Sequence, residues 1–243
     1  AMSAANVNVT TGARMEVTKN TAKSRGGGLF LYNAGTSLGV SGAGTQLVVN
    51  ENDAESEGGG VYASSATVIV TTEARLEVTK NTAKSYGGGL YLLNAGTSLD
   101  VSGAGTQLVV NENTAEAYGG GLAAVLAATV SVTTRAQMEV TKNTAKTHGG
   151  GLYLQNEGTS LDVSGAGTQL VVNENTAESE GGGVVASLTA IVAVTTGARM
   201  EVTKNTAKTN GGGGLILQTA AHLDVNGVGT QLVVNENTAE SYG

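Results

Sequence analysis

Apolar and polar residues alternate in three short runs that recur about every 30 residues along the chain. In one unit the runs occupy residues 76–78, 90–92 and 99–101. Alternation with a period of two is typical of a strand with one buried face, so each run predicts a β-strand. The segments between the runs are rich in Gly, Asn, Ser and Thr, which predicts turns. Three strands and three turns per unit predict one coil of a three-sided parallel β-helix.

The strand pattern belongs to a tandem repeat that runs through the whole chain. The anchor of each unit is an apolar residue followed by any residue, Val, any residue, a charged residue and Asn. Successive anchors are 32, 29, 32, 30, 32, 30 and 32 residues apart, so two unit types alternate. A fixed period in this range is typical of a solenoid. The eight units begin near Met15, Leu47, Leu76, Leu108, Met138, Leu170, Met200 and Leu232.

Residues 1–243 are predicted to form one continuous array, because neither a linker nor a change in composition divides them. Residues 1–14 align with the end of one unit, and the sequence stops inside another at Gly243. A solenoid that is soluble by itself normally carries polar capping repeats, and none is visible. We therefore expect either a segment of a longer array or copies that stack end to end into a fibre.

Other repeat folds disagree with the composition. Glycine triplets recur along the chain, and one Gly inside a helix costs about 1 kcal/mol relative to Ala, which argues against helical repeats. A propeller blade needs about 40 residues and aromatic signatures, whereas Trp is absent and Phe30 is the only Phe. The core is expected from Val, Leu, Ile and Ala. The triplets are expected at sharp corners, because Gly permits positive φ and close backbone approach.

An Asn ends the anchor of every unit. Stacked coils place equivalent residues about 4.8 Å apart. At that spacing, side-chain amides can hydrogen-bond along the column, as Asn ladders do in cross-β stacks. We predict a structural ladder that fixes a turn. Its members are Asn20, Asn52, Asn81, Asn113, Asn143, Asn175, Asn205 and Asn237.

The position before each Asn alternates between Lys and Glu, and so does the position three residues after it. An exposed pair of opposite charges is worth only about 0 to 1 kcal/mol. A slip of one coil would place like charges together throughout, so we predict that the two columns specify register. The alternative is two solvated, charged faces. The first column is Lys19, Glu51, Lys80, Glu112, Lys142, Glu174, Lys204 and Glu236; the second is Lys23, Glu55, Lys84, Glu116, Lys146, Glu178, Lys208 and Glu240.

A row of aromatic residues is the candidate surface for a ligand or partner. It occupies the outward strand position after the glycine triplet, and Ala123 and Val185 interrupt it. Exposed rings could stack on sugar rings or on a neighbouring solenoid. Ordinary packing between strands would use the same residues equally well. The row comprises Phe30, Tyr62, Tyr91 and Tyr153.

The charge balance and the apolar tracts limit the partners. A net charge of −7 with 13 Lys plus Arg argues against nucleic acid, which needs a basic stripe. The apolar tracts are too short and too interrupted by Gly, Ser and Thr for membrane insertion of this segment. The expected partners are other copies of the chain stacked end to end, other surface or fibre proteins, or a glycan.

No catalytic residue, cofactor site or metal site is predicted. His148 and His222 are the only histidines, and they occupy different positions in their units. Asp100, Asp162 and Asp224 recur in every second coil, roughly 10 Å apart, too far to share a metal or act as a carboxylate pair. An enzyme would need a clustered, non-repeated set of charged residues on one face. The sequence therefore favours a protein that is not an enzyme.

The repeat resembles that of the polymorphic outer-membrane proteins, whose units pair a Gly-Gly-Ala-Ile-like tetrapeptide with a Phe-x-x-Asn motif. Here Val-Thr-Lys-Asn at 78–81 stands at the second motif, and Gly88-Gly89-Leu90 stands at the first. Two features depart from that family: Val replaces Phe in all eight units, and the units are more alike. The resemblance implies a right-handed parallel β-helix displayed at a cell surface, in adhesins and surface fibres.

The expected function is that of a structural or adhesive repeat protein, extracellular or at a cell surface, that forms or belongs to a fibre. Near-perfect repetition favours this interpretation, because the array itself is then the functional object. The alternative is a carbohydrate-binding β-helix module, or a β-helix related to polysaccharide lyases and hydrolases.

Overall fold

The computed structural model describes residues 4–240, so the first and last three residues of the predicted array lie outside the described part. The chain is a parallel β-solenoid of about eight coils, and the described residues form strands and turns with no helix. Each strand pairs in parallel with the equivalent strands of neighbouring coils. The predicted all-β parallel solenoid is therefore confirmed.

Four parallel sheets run along the solenoid, and three of them contain the predicted strands. Sheet A holds the predicted run at 99–101 and the equivalent runs of the other unit type. Leu99 and Val101 are buried, whereas Ser98, Asp100 and Ser102 face outward. Its strands are Asn6–Thr10, Ser37–Ser41, Thr67–Thr71, Ser98–Ser102, Thr129–Thr133, Ser160–Ser164, Ile191–Thr195 and His222–Asn226.

Sheet B holds the anchor of each unit. Leu76 and Val78 point into the core, and Leu76 lies between Leu47 and Leu108 of the adjacent coils. Like residues therefore stack on like residues along the interior. The strands are Arg14–Thr18, Gln46–Asn50, Arg75–Thr79, Gln107–Asn111, Gln137–Thr141, Gln169–Asn173, Arg199–Thr203 and Gln231–Asn235.

Sheet C is the sheet that the sequence did not predict. Residues 81–83, Asn-Thr-Ala, were expected to form a turn, but Thr82–Ala83 is a two-residue strand. So short a strand persists because each coil offers the next one a backbone in the same register, and Ala83 is fully buried. The strands are Thr21–Ala22, Asp53–Ala54, Thr82–Ala83, Thr114–Ala115, Thr144–Ala145, Thr176–Ala177, Thr206–Ala207 and Thr238–Ala239.

Sheet D follows the glycine triplets and is buried on both faces through most of its length. Leu90 and Leu92 point into the main core, and Tyr91 lies on the opposite face, also buried. Its described strands are Leu29–Tyr32, Val61–Ser64, Leu90–Leu93, Leu122–Val125, Leu152–Gln155, Val184–Ser187 and Leu215–Leu217.

The interior of the solenoid is a single column of aliphatic side chains. Leu, Val and Ala dominate it, as expected, and Met138 and Met200 stand at the anchor position of two coils. Ile does not contribute in the way that was expected, because Ile69 and Ile191 lie on the outer face of sheet A and are exposed. Aliphatic side chains in register let adjacent coils pack without aromatic residues in the interior.

The glycine triplets turn the chain from sheet C into sheet D, as predicted. Gly87 has a φ of 62°, a conformation that disfavours residues with a side chain. A Cβ on Gly88 would lie 2.4 Å from the carbonyl oxygen of Thr114, and a Cβ on Gly89 would lie 3.0 Å from Asn113 Nδ2. The triplet therefore combines one left-handed corner with two close approaches to the next coil.

Candidate functional site

The eight Asn side chains form a continuous hydrogen-bonded column. Asn113 Nδ2 donates to Asn143 Oδ1 at 3.0 Å and to the Val78 carbonyl at 2.9 Å. The Asn113 backbone N–H donates to the same Asn143 Oδ1 at 2.9 Å. In turn, Asn113 Oδ1 accepts from the backbone N–H and from Nδ2 of Asn81, both at 3.0 Å. Each inner amide thus makes both donor bonds and accepts two more.

The column is buried and directional. Asn81, Asn113, Asn143, Asn175 and Asn205 are fully buried, and each donates toward the coil that follows it in the sequence. A buried polar group costs free energy unless it is hydrogen-bonded, so complete pairing is what allows the amides to occupy the interior. The turn after sheet B is held by these bonds.

The charged position before each Asn has a left-handed backbone in all eight coils. Its φ lies between 54° and 58° from Lys19 to Glu236. That conformation usually costs about 1 to 2 kcal/mol for a residue with a Cβ, and the adjacent ladder Asn holds it in place. This conformation could not be predicted, because Lys and Glu carry no preference for it.

Opposite charges of adjacent coils approach one another in both charge columns. In the first column Lys19 Nζ lies 3.7 Å from a Glu51 carboxylate oxygen. In the second column Lys146 Nζ lies 3.4 Å from a Glu116 carboxylate oxygen. The Lys19 side chain is about three-quarters exposed and the other three are about half exposed, so each pair contributes little to stability. The role of the columns in register stays a prediction.

The aromatic row is not exposed in the way that was expected. Tyr62, Tyr91 and Tyr153 are 1 to 5% exposed, and only Phe30 is open, at 52%. They point away from the main core, as predicted, but they form a second apolar cluster on the outer face of sheet D. The residues that interrupt the row, Ala123 and Val185, belong to the same cluster.

The cover over this cluster is the segment between sheets C and D. Tyr86 and Tyr118 of that segment stack at a centroid distance of 4.9 Å, and Tyr118 lies 4.9 Å from Tyr153. Isolated bridges join Tyr86, Tyr118, His148 and Glu180 of successive coils. The sequence interpretation missed this second aromatic column because it recurs in only some units.

Burial of the rings changes their acidity. Loss of hydration raises the pKa of Tyr153 to about 12 and raises the pKa of Tyr91 further above its usual value. The pKa values of Tyr62 and Tyr86 are raised for the same reason. These phenols are neutral and packed at physiological pH, which fits a structural role.

Buried Thr residues form two further sets that the sequence interpretation missed, one before the strands of sheet A and one before the strands of sheet B, each in alternate coils. Thr45 Oγ1 accepts the Gly12 backbone N–H at 2.9 Å and donates to the Ser41 carbonyl at 2.9 Å. Thr106 repeats the contact two coils later with the N–H of Glu73. The signal was present as a Gly-Thr pair that recurs in every second unit, where the other units carry Ala. The buried members are Thr36, Thr45, Thr97, Thr106, Thr159 and Thr168.

The histidines and aspartates lie apart, as expected. His148 stacks on Tyr118 and its Nε2 lies 3.5 Å from Glu180 Oε2, whereas His222 begins a strand of sheet A. Asp100 accepts a hydrogen bond from Ser98 at 2.8 Å, within its own strand. Among residues 4–240, no group of three His, Cys, Asp or Glu residues is placed to hold a metal ion.

A shallow depression of about 510 Å³ lies between the turns that join sheets A and B. It is lined by residues 10–12, residues 41–43 and Thr72, which are all Gly, Ala, Ser or Thr. None of these side chains is an acid or a base, so the depression offers no group for proton transfer. Over the described residues, no helix is long and apolar enough to cross a membrane.

Comparisons with known proteins do not place the chain in a family. No protein-family model matches it, and no curated protein matches it. Among solved structures, the crystal structure of a TibC-catalysed, hyper-glycosylated TibA fragment aligns over 96% of this chain and 100% of the fragment. The identity is 16% and the TM-score is 0.15, a likeness too weak to support an argument about fold or function.

Proposed function

We propose that this chain is a structural or adhesive repeat protein of a cell surface or an extracellular fibre, and that it acts without catalysis. The observation that carries the proposal is the uniformity of the solenoid along its axis. Successive coils place their strands in the same sheets, and they share the Asn ladder and the aliphatic core. Such an array is a rod whose length scales with the number of coils.

The outer faces give the rod a regular, multivalent surface. On sheet A, Asp100 and Asp162 recur two coils apart, with Ser at the strand positions beside each of them. Two coils span about 10 Å. Identical groups at fixed spacing raise avidity for a surface that repeats the same partner, without a tight single site. This property suits adhesion, and the resemblance to polymorphic outer-membrane protein repeats points the same way.

End-to-end stacking is the mode of self-association that fits the ladder. Asn20 Oδ1 is the acceptor at one end of the described column, and Asn237 carries the donors at the other. A further coil would continue the same bonds, whether it came from the same chain or from a second copy. Glu236 and Glu240 would then face Lys19 and Lys23, which continues both charge columns.

Electron microscopy and sedimentation of the purified chain test the fibre proposal. We expect filaments, and we expect Asn20→Leu to shorten or abolish them because Leu removes the acceptor. Lys146→Leu, at an exposed position of an inner coil away from either end, is the control and should leave filaments. Monomers at every concentration would overturn end-to-end stacking.

Retention on a mucin-coated surface tests the adhesive proposal. Chains with four, eight and twelve coils are compared at equal mass concentration, and we expect retention to rise steeply with coil number. Equal retention for all three lengths would contradict multivalent adhesion. If neither filaments nor retention is found, the proposed function fails as a whole.

Glycan binding is the second candidate, and the open end of the aromatic column favours it. Phe30 and Tyr32 are 52% and 47% exposed, and Phe30 stacks on Tyr62 at 5.0 Å. Arg25 lies 5.4 Å from the Tyr62 ring centroid and pairs with Glu57 at 2.6 Å. Exposed rings beside a charged pair form a platform on which a sugar ring can stack.

Replacement of both exposed rings by Ala tests this second candidate on a glycan array. We expect the F30A/Y32A variant to lose binding, and Leu126→Ala, which removes an exposed apolar side chain elsewhere, to keep it. Binding that survives F30A/Y32A, or no binding by the unmodified chain, would rule out this platform.

A further inference from the structure

Every second coil, starting from the first, begins its sheet B strand with Arg, except that the fifth begins with Gln137; we call these four the Arg-type coils. In three of them the outer face of sheet B carries an ion pair within the strand. Arg75 Nε donates to Glu77 Oε1 at 2.6 Å, and the same Arg also donates to Gln107 of the next coil. The pair recurs as Arg14 with Glu16 at 2.7 Å and as Arg199 with Glu201 at 2.5 Å. In these coils, the Arg and Glu of the sheet B strand neutralise each other within the chain.

The fifth coil breaks this pattern. Gln137 takes the place of the Arg, and an arginine stands two residues earlier, as Arg135 in the turn before the strand. Both Arg135 and Glu139 are exposed. Within residues 4–240, no salt bridge joins either side chain to another charge. The fifth coil therefore presents one unpaired positive group, at the turn before its sheet B strand, and one unpaired negative group within that strand.

Gln137 lies two residues from each of the two unpaired charges along the chain, and this order is self-complementary. A two-fold axis over Gln137, parallel to the solenoid axis, would bring Arg135 of one copy onto Glu139 of the other, and the reverse. A two-fold axis along the strands would instead set Glu139 against Glu139. Charge complementarity selects the first arrangement, with two solenoids side by side and pointing the same way.

We propose that the sheet B face is a lateral interface between two copies of this chain, closed by two reciprocal Arg135–Glu139 pairs. Val109 and Val171 flank Glu139 on the adjacent coils, so the pairs would be shielded from water by apolar side chains. Five-residue strands in eight coils give a face of about 16 by 38 Å. Two such faces bury about 1,200 Å² in total, the size of a weak, reversible interface.

The third coil limits the affinity of this interface. Glu73 occupies the turn position that Arg135 holds in the fifth coil. Under the same symmetry Glu73 would approach Glu77 of the partner subunit, with only the two Arg75 groups between them. The other Arg-type coils carry Gly12 and Gly197 at this position and add no charge. Loss of the Glu73 charge should therefore strengthen pairing.

Sedimentation velocity of charge-swapped variants tests the interface. We expect a reversible dimer, weakened at least tenfold by Arg135→Glu or by Glu139→Arg alone. An equimolar mixture of the two single variants should associate as the unmodified chain does, because each supplies the charge that the other needs. The double variant R135E/E139R should also be restored, and Glu73→Gln should dimerise several-fold more tightly. Lys23→Glu, with the same change in net charge away from sheet B, should have no effect.

Three outcomes would overturn the proposal: a chain that stays monomeric up to about 1 mM, single variants that dimerise normally, or a mixture that fails to recover association. The inference does not depend on the proposed function. Lateral pairing stops at two copies, whereas end-to-end stacking continues, so the mass distribution separates the two. Far-ultraviolet circular dichroism of each variant verifies that the solenoid is intact.

Discussion

Removal of one inner ladder amide tests the energetic role of the Asn column. Asn113→Ala deletes four hydrogen bonds: those to Asn143 and Val78, and the two that Asn81 donates to Asn113 Oδ1. Some partners keep another bond, because Asn81 Nδ2 still reaches the Val49 carbonyl at 3.0 Å. The backbone N–H of Asn81, however, loses its acceptor in a fully buried position.

The expected cost follows from these contacts. A typical hydrogen bond contributes about 1 kcal/mol net, and a buried group left unsatisfied costs about 1 to 3 kcal/mol. We therefore expect Asn113→Ala to lower the free energy of unfolding by about 3 to 5 kcal/mol. Asn20→Ala is the matched control, because Asn20 is exposed in the first coil and its side chain donates to Asn52 alone. Its cost should stay below about 1 kcal/mol.

Chemical denaturation and native-state hydrogen exchange measure the two variants. Exchange is the sharper assay, because repeat arrays can open locally and need not unfold in one step. The Asn81 amide should lose protection selectively in Asn113→Ala. Equal costs for the two variants, together with an unchanged Asn81 amide, would refute the claim that the ladder stabilises the solenoid.

Three further predictions concern the triplets, the buried phenols and the charge columns. Gly88→Ala should destabilise by several kcal/mol more than Gly96→Ala by thermal denaturation, since a Cβ meets a carbonyl oxygen at 2.4 Å at the first site and open space at the second; equal costs would contradict close packing. Burial raises the pKa of Tyr153 to about 12 from 10, so its stabilising contribution is present below pH 10 and is lost as the pH rises to 12. Tyr153→Phe should therefore resist alkaline unfolding better, and an unchanged pH profile would refute this. Lys146→Glu should cost at most about 1 kcal/mol by denaturant titration, and a loss of several kcal/mol would show that the columns do more than specify register.

The solenoid and its main strands could be predicted because the signal was repeated. An alternation such as Leu76-x-Val78 is weak evidence in a single strand, but eight copies at nearly constant spacing leave few other folds. The same alignment identified the Asn ladder, since an amide at every coil of a parallel stack must lie next to its equivalents. Because each strand signal recurs at the same position of every unit, it also predicts which residues contact one another in adjacent coils.

Features that depend on the path of the chain outside the core could not be predicted. Period-two alternation shows that Tyr91 points away from the main core, but it does not show that Tyr86 and its neighbours fold over it. The strand at Thr82–Ala83 is too short to give a periodic signal. The left-handed backbone at Lys80 follows from the hydrogen bonds of Asn81, and a sequence pattern does not encode it.

The most direct test of the account is the length of the molecule when a pair of coils is added. Duplication of residues 76–137 inserts one 62-residue pair in register. If the chain is a parallel solenoid built from interchangeable coil pairs, small-angle X-ray scattering should show a rod longer by about 10 Å with an unchanged cross-section. A thicker particle, or one whose length does not grow, would contradict the account.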